Sequence, residues 1–590
     1  MDDGGLFLKV SGVLKIRGVA PALRSIAGRL AGLAASLLIV VTALAAASAE
    51  PAPEPPTPPR ATVQDNGEVT ARLYELDGSG SIVLRSLREP FGAAPPPPGL
   101  ERITEEKIAA RLRLAGALRT AALAGAPRDV APARLVPEDL ARRLRVLHMA
   151  VAGYTDAALV QLAARVGMIE GFSVVARLSA ASEWAEHLTD VPGVALARLP
   201  GRDYLWTEDV TEIGLDGTFR MTARMGDRRL LRRSLLVDRV RRFYPEVTPP
   251  ELDTIRTLPA PPDRAPGDLP PDVLRRFPDI VFVAQGRMER DLSQEVAAAL
   301  AAARGARLRE AATYLEGGNV LLGTLPGGAP YALVGRDSAA VSRALLERDQ
   351  GRPVGDAEVR RAMAEDLGVD PARLFLVEQP GVFHLDVAMT LLGPGTVVLN
   401  DALEASRLQA EWMREDHEAW RPRPEQSPSP AQYLHDLDLW RDAGRRLDET
   451  IASLRAHAER FARDEARALA DLEAAGLRVL RLAGRFPHPA RPGNRDLMNF
   501  LNGEGGTSPS GATYFMTQGG DPRAERYVAA RLLAPGTELD RLYLAPRLIS
   551  RDALWEEGGV GCRVKAEGDS VDPGAWRGGR RVGPEGPASR

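Results

Sequence analysis

From residue 172 onward, short apolar segments recur, each followed by a helix-like stretch and then by another short strand. Phe172 to Leu178 leads through 181–189 to Val194 and Leu199. Ile280 to Gln285 precedes a helical stretch over 293–304 and a strand at 307–311. Leu374 to Glu378 opens a third unit, a helix over 448–475 leads to Leu477–Leu482 in a fourth, and 525–533 precedes 541–545 in a fifth. A chain that keeps alternating in this way forms α/β layers. The units share little sequence, so the repeat is one of structure, with sheet edges meeting near a common centre. A helical insertion spans 402–476, and its Pro- and Ser-rich stretch Arg421 to Pro430 reads as a surface loop.

What precedes the repeat is different in kind. Lys9, Lys15, Arg17, Arg24 and Arg29 come before an uncharged apolar run, Leu30 to Ala47, which ends at Ala47-Ser48-Ala49. This is the layout of a signal peptide over 1–49, so the chain is expected to be exported, periplasmic or secreted, and to meet a membrane only through that segment. Residues 50–60 form a Pro-rich linker. Residues 61–170 are expected to be a smaller mixed region, with strands over 68–84 and helix over most of 104–166, where Leu140, Leu144 and Leu147 take helical spacing. Residues 571–590 read as a flexible tail. The net charge is −3, and removing 1–49 makes it more acidic, which excludes a typical nucleic-acid binder.

The chain has one cysteine, Cys562. An exported protein normally pairs its cysteines, and a lone thiol can staple nothing within its own chain. Its setting, Gly558-Gly559-Val560-Gly561-Cys562, allows close approach by another molecule. Among the histidines, His384 stands apart because apolar residues bracket Gly381-Val382-Phe383-His384-Leu385-Asp386. If that segment is a strand, His384 and Asp386 face the same way, and burying such a pair requires partners or a purpose. Two further segments combine acidic, amide and aromatic residues: Trp206-Thr207-Glu208-Asp209-Val210-Thr211-Glu212-Ile213-Gly214 and Glu316-Gly317-Gly318-Asn319.

In this order, W-x-x-D, G-G-N, H-x-D and a glycine-flanked C-terminal Cys, the chain resembles the guanidino-modifying (pentein) superfamily. Trp206 to Gly214 most resembles the catalytic domain of protein-arginine deiminases. The resemblance covers about 171–570 and implies a five-bladed α/β propeller. It also implies a hydrolase acting on a guanidinium C–N bond, converting arginine, expected as peptidyl arginine of a protein or peptide substrate, to citrulline and ammonia. The same residues would serve a small guanidino compound in an arginine or agmatine deiminase, or an amidinotransferase.

The roles implied are specific. Asp209 and Asp386 would grip the guanidinium through paired N–H groups, Cys562 would attack its carbon, and His384 would move protons. Trp206 would stack on the substrate, and Asn319 would bind substrate or order the pocket. A nearby imidazolium and the substrate cation are expected to lower the Cys562 pKa. The chemistry itself needs no cofactor. The resemblance also implies Ca2+, with Glu208 and Glu212 as the oxygen donors. The sequence departs from the protein-directed enzymes at Gly561, where they carry His, and Glu316-Gly317-Gly318 looks more like the free-arginine and agmatine enzymes.

Overall fold

The computed structural model describes residues 70–76, 81–87, 134–179, 182–199, 207–223, 242–251, 295–381, 384–489, 496–534, 536–555 and 558–571, all within one unit, Asn66–Arg590. The expected signal peptide and linker lie outside them, as do Trp206 and nearly all of the C-terminal tail. Among the described residues no helix is long and apolar enough to cross a membrane.

The chain begins with the hairpin β1 (Arg72–Leu76) and β2 (Ile82–Ser86), followed by β3 (Arg142–Ala150), α1 (Tyr154–Glu170), β4 (Ser173–Ser179) and β5 (Val194–Leu199). The helical expectation for Leu140, Leu144 and Leu147 is corrected here: Leu144 and Leu147 lie on β3. From Val146 that strand is buried on both faces, so the period of two that would mark it is lost. The boundary expected at 170/171 falls inside one sheet, in which β3 pairs with β4 in parallel and with the last strand, β20 (Val564–Ser570), in antiparallel.

Three units then follow in the same pattern. Helix α2 (Thr207–Val210) is a single turn before β6 (Thr211–Ile213), β7 (Phe219–Met221), α3 (Glu295–Arg304) and β8 (Leu308–Glu310). Strands β9 (Val320–Thr324) and β10 (Pro330–Gly335) precede α4 (Arg336–Gln350), α5 (Asp356–Leu367) and β11 (Leu374–Val377). Strands β12 (Met389–Leu391) and β13 (Thr396–Asn400) precede α6 (Ala402–Ala419), α7 (Pro430–Ala474) and β14 (Arg478–Leu482). A small hairpin, β15 (Arg485–Pro487) and β16 (Asp496–Asn499), separates these from β17 (Glu504–Thr507), β18 (Thr513–Thr517), α8 (Pro522–Leu532) and β19 (Arg541–Leu544). Helices α9 (Arg547–Trp555) and α10 (Val560–Arg563) lead into β20.

In each unit the first strand runs antiparallel to the second, and the second runs parallel to a third reached through helix. Strands β20, β3 and β4 pair in this way too, although β20 comes from the other end of the chain. The sequence units leave out this leading antiparallel strand, which is only three residues long in β6 and β12. Helix α7 starts at Pro430, well before the expected 448. Ser429 caps it by accepting from Gln432 N, and Pro430 occupies its first turn, a combination that starts helices. At about 1.5 Å per residue its 45 residues extend roughly 67 Å.

Candidate active site

Five segments, each immediately preceding the first strand of a unit, supply the site: α2 before β6, Gly317–Asn319 before β9, 384–386 before β12, 499–503 before β17, and α10 before β20. A residue just ahead of a strand sits at the sheet end, so equivalent positions in similar units can converge. Asp209, Glu316, His384, Asp386, Asn502 and Cys562 do so, all of them buried.

His384 and Asp386 are brought together by a turn. The strand alternation invoked from sequence does not apply, because Met389 N donates to Leu385 O and Asp386 N donates to Gly318 O at 3.1 Å. The imidazole Nε2 lies 2.8 Å from Glu316 Oε1, while its Nδ1 edge faces Asp209 Oδ1 at 3.7 Å and Asp386 Oδ1 at 3.8 Å. Asn319 is fully buried and donates its amide to Glu316 Oε2 at 3.0 Å. Of the two roles expected for Asn319, ordering the site is the one this contact serves. Gly318 is required by close approach: a Cβ there would stand 2.1 Å from His384 Nδ1.

The Cys562 thiol donates to Asp386 Oδ2 at 3.3 Å. Asn502, which the sequence reading passed over, ties the two together. Its Nδ2 reaches Asp386 Oδ2 at 2.5 Å and Cys562 Sγ at 3.1 Å, and its Oδ1 accepts from Cys562 N at 3.1 Å. A signal was available in Leu501-Asn502-Gly503, an amide beside glycine directly before a strand, as in Gly318-Asn319. The space beside Gly559 is filled by the chain's own Asn502 and Gln518, which a Cβ would meet at 2.3 and 2.4 Å. The glycines before Cys562 thus accommodate an internal neighbour.

The electrostatics run opposite to the expected lowering of the thiol pKa. Burial first, then the carboxylates Asp386, Glu208 and Asp209, push the Cys562 thiol well up, so it rests protonated. Burial also raises Asp386 to about 6, against the opposing pull of His384, and raises Glu208 well above the usual carboxylate range. Deeper in, Lys565 Nζ lies 2.7 Å from Glu212 Oε2 and 3.0 Å from Glu138 Oε1, and Glu212 is raised to about 7, chiefly by burial.

Calcium does not fit these donors. Glu212 is engaged by an ammonium, and the group that gathers around Glu208 is Asp386 and Cys562, with ligand atoms all within 4.8 Å of one another. Calcium takes six to eight hard oxygens, not a thiol. Glu208 is instead held well above the usual carboxylate range by burial and by the neighbouring Asp386 carboxylate.

No protein-family model matches the chain, and no curated protein matches it. Among solved structures, the chain is similar to a C. jejuni agmatine deiminase, with 11% identity and a TM-score of 0.36 over 74% of this chain and 96% of that one. It is also similar to an agmatine deiminase of Enterococcus faecalis, with 12% identity and a TM-score of 0.39 over 75% and 97%. At these scores and identities the likeness decides neither the architecture nor the activity, and the reading of function rests on the residues of the site.

Proposed function

We propose that this protein is a hydrolase that releases ammonia from a small guanidino compound of the arginine or agmatine kind through a covalent intermediate on Cys562. The observation that carries the reading is the buried grouping of Glu208, Asp209, Glu316 and Asp386 around one thiol and one imidazole. So many carboxylates out of water call for a cation, and a planar guanidinium offers paired donors to carboxylates. The reading also takes the five units as the blades of a propeller around this site and, from residues 1–49, the chain as exported.

The guanidinium lies between Asp209 and Asp386, and its charge offsets the carboxylates that hold the thiol protonated. The proton leaves Sγ for Asp386 Oδ2, its hydrogen-bond partner. Sγ then attacks the guanidinium carbon; a C–S bond forms and a C–N π pair moves onto nitrogen. His384, held at Nε2 by Glu316, presents Nδ1 to the site and protonates the departing nitrogen. The C–N bond breaks, ammonia leaves and a thiouronium remains. Water, losing a proton to His384, adds to the same carbon. As the C–S bond breaks, the added hydroxyl becomes the carbonyl and its proton passes to Sγ; the proton held by Asp386 leaves with the ammonia as ammonium, and a ureido product is released.

The test incubates the protein with agmatine, free arginine and an arginine peptide, and measures ureido product beside Cys562→Ser. Product from agmatine or arginine supports the reading. Product from the peptide alone transfers it to the protein-directed substrate suggested by Trp206 to Gly214. No product from any of them, with the variant indistinguishable from native, refutes it.

A further inference from the structure

The residue after the nucleophile is an arginine with no access to solvent: Arg563 is 0% exposed. Its guanidinium does not point toward the carboxylates of the site. Nε donates to Asp156 Oδ1 at 2.9 Å. Nη1 donates to Gly558 O and, at 3.3 Å, to Gly559 O, while Nη2 reaches Ala553 O at 3.4 Å. These carbonyls belong to the end of α9 and to the glycine segment before Cys562. Asp156 is itself fixed, because its other oxygen accepts from Ala152 N and Gly153 N, both at 3.1 Å, in the first turn of α1.

The approach to Cys562 is therefore gripped from two sides. Asn502 holds Cys562 N and Sγ on one side. On the other, Arg563 gathers the carbonyls of 553, 558 and 559 and anchors them, through Asp156, to a helix 407 residues earlier in the chain. A planar fork with several donors can fix carbonyls at different points along a loop, which a lysine ammonium on a flexible stem does less well. Burying this charge is tolerable because Asp156 pairs with it in the same interior.

We infer that Arg563 is the positioning residue of the nucleophile, holding the Gly558–Gly559 segment so that Cys562 Sγ stands at Asp386 and Asn502. It touches no reacting atom and binds no substrate. This inference rests on Cys562 being the nucleophile, as proposed above. It also gives the region before residue 170, which showed no chemistry in the sequence, a part in the site through Asp156.

The test uses the fact that Cys562 is the only thiol in the chain, so its alkylation by iodoacetamide reports on this residue alone. Full-length Arg563→Met, Arg563→Lys and Asp156→Asn variants are compared with native protein in kcat, KM, melting temperature and alkylation rate across pH. A misplacement of about 1 Å costs roughly 100-fold in rate. Arg563→Met is thus expected to lose about 100-fold in kcat with KM within about three-fold, and its thiol to alkylate at least about ten-fold faster. Arg563→Lys should recover part of both. Should Arg563→Met fail to fold, Asp156→Asn carries the decision, with the same direction and a smaller size. Folded variants with native kcat and native alkylation rates overturn the inference, and so does a lowered melting temperature with neither rate changed. If the native protein forms no ureido product, the proposed function falls on that result, while alkylation still decides whether Arg563 fixes the thiol.

Discussion

Replacing Gly318 with alanine should disable the site while leaving most of the fold intact. The added Cβ would stand 2.1 Å from His384 Nδ1, 2.7 Å from its Cγ and 3.0 Å from Asp386 Oδ1. Ordinary contact begins near 3.4 Å, so the ring must withdraw by roughly 1.3 Å. Its opposite edge is already 2.8 Å from Glu316, which blocks withdrawal on that side, and the ring is 1% exposed. Displacing a catalytic group by about 1 Å costs on the order of 100-fold in rate. Overpacking of this kind costs about 1–3 kcal/mol of stability, a few degrees of melting temperature in a large domain. The expected result is kcat lowered by about 100-fold in a steady-state ureido assay, with a melting temperature only a few degrees lower by circular dichroism. Gly327→Ala is the control, since a Cβ there meets nothing within 4 Å. A Gly318→Ala protein whose kcat stays within about three-fold of native would show that His384 need not sit where the structure places it.

Glu316→Gln keeps the shape but removes the charge behind His384 Nε2, so kcat should fall by about 10- to 100-fold with little change in KM. Asn319→Ala, which removes only the amide holding Glu316, should cost less than Glu316→Gln in the same assay. Unfolded carboxyls ionise near pH 4, whereas burial holds protons on Asp386 to about 6 and on Glu212 to about 7. Stability should therefore fall as pH rises from about 4 to about 7, which melting curves would reveal. Over the upper part of that range, binding of agmatine to Cys562→Ser should tighten and then level off above about pH 7, because the ligand requires Asp386 ionised; calorimetry from pH 5 to 8 measures this. Since Glu212 is engaged by Lys565, neither EDTA nor added calcium should alter ureido formation by more than about two-fold.

The four residues proposed to carry the chemistry, which the structure brings together, stand out in the sequence because each lies within a short run of unusual composition. Cys562 follows glycines, His384 and Asp386 sit among apolar residues, and Asp209 lies in an acidic turn before Ile213. Their supports could not be read in the same way. Asn502 is marked only by its place beside glycine before a strand, and Arg563 acts through backbone carbonyls and a carboxylate far away in the chain, which no local spacing betrays. The raised thiol of the substrate-free protein was not legible either, because burial and the carboxylates Asp386, Glu208 and Asp209 set it, and burial cannot be weighed from a linear motif. In the fold, long helices such as α7 and the strand–helix–strand order were legible from periodicity. The three-residue strands β6, β7 and β12 were too short for any period to show, whereas β8 falls inside the strand expected at 307–311.

The pairing of β20 with β3 also bears on when such a chain becomes chemically competent. During synthesis β3 and α1 emerge early and present an open strand edge, while the partner for that edge lies some 400 residues downstream. At about 5–20 residues per second this delay lasts roughly 20–80 s. In the interval the ribosome-bound chain carries the acidic residues and the imidazole of the site but not Cys562. Loss of the stretch from 558 to 570 would have the same effect on a finished molecule. The lone thiol arrives with the strand that seals the early edge, so under the proposed function a half-made chain would be silent toward guanidino compounds.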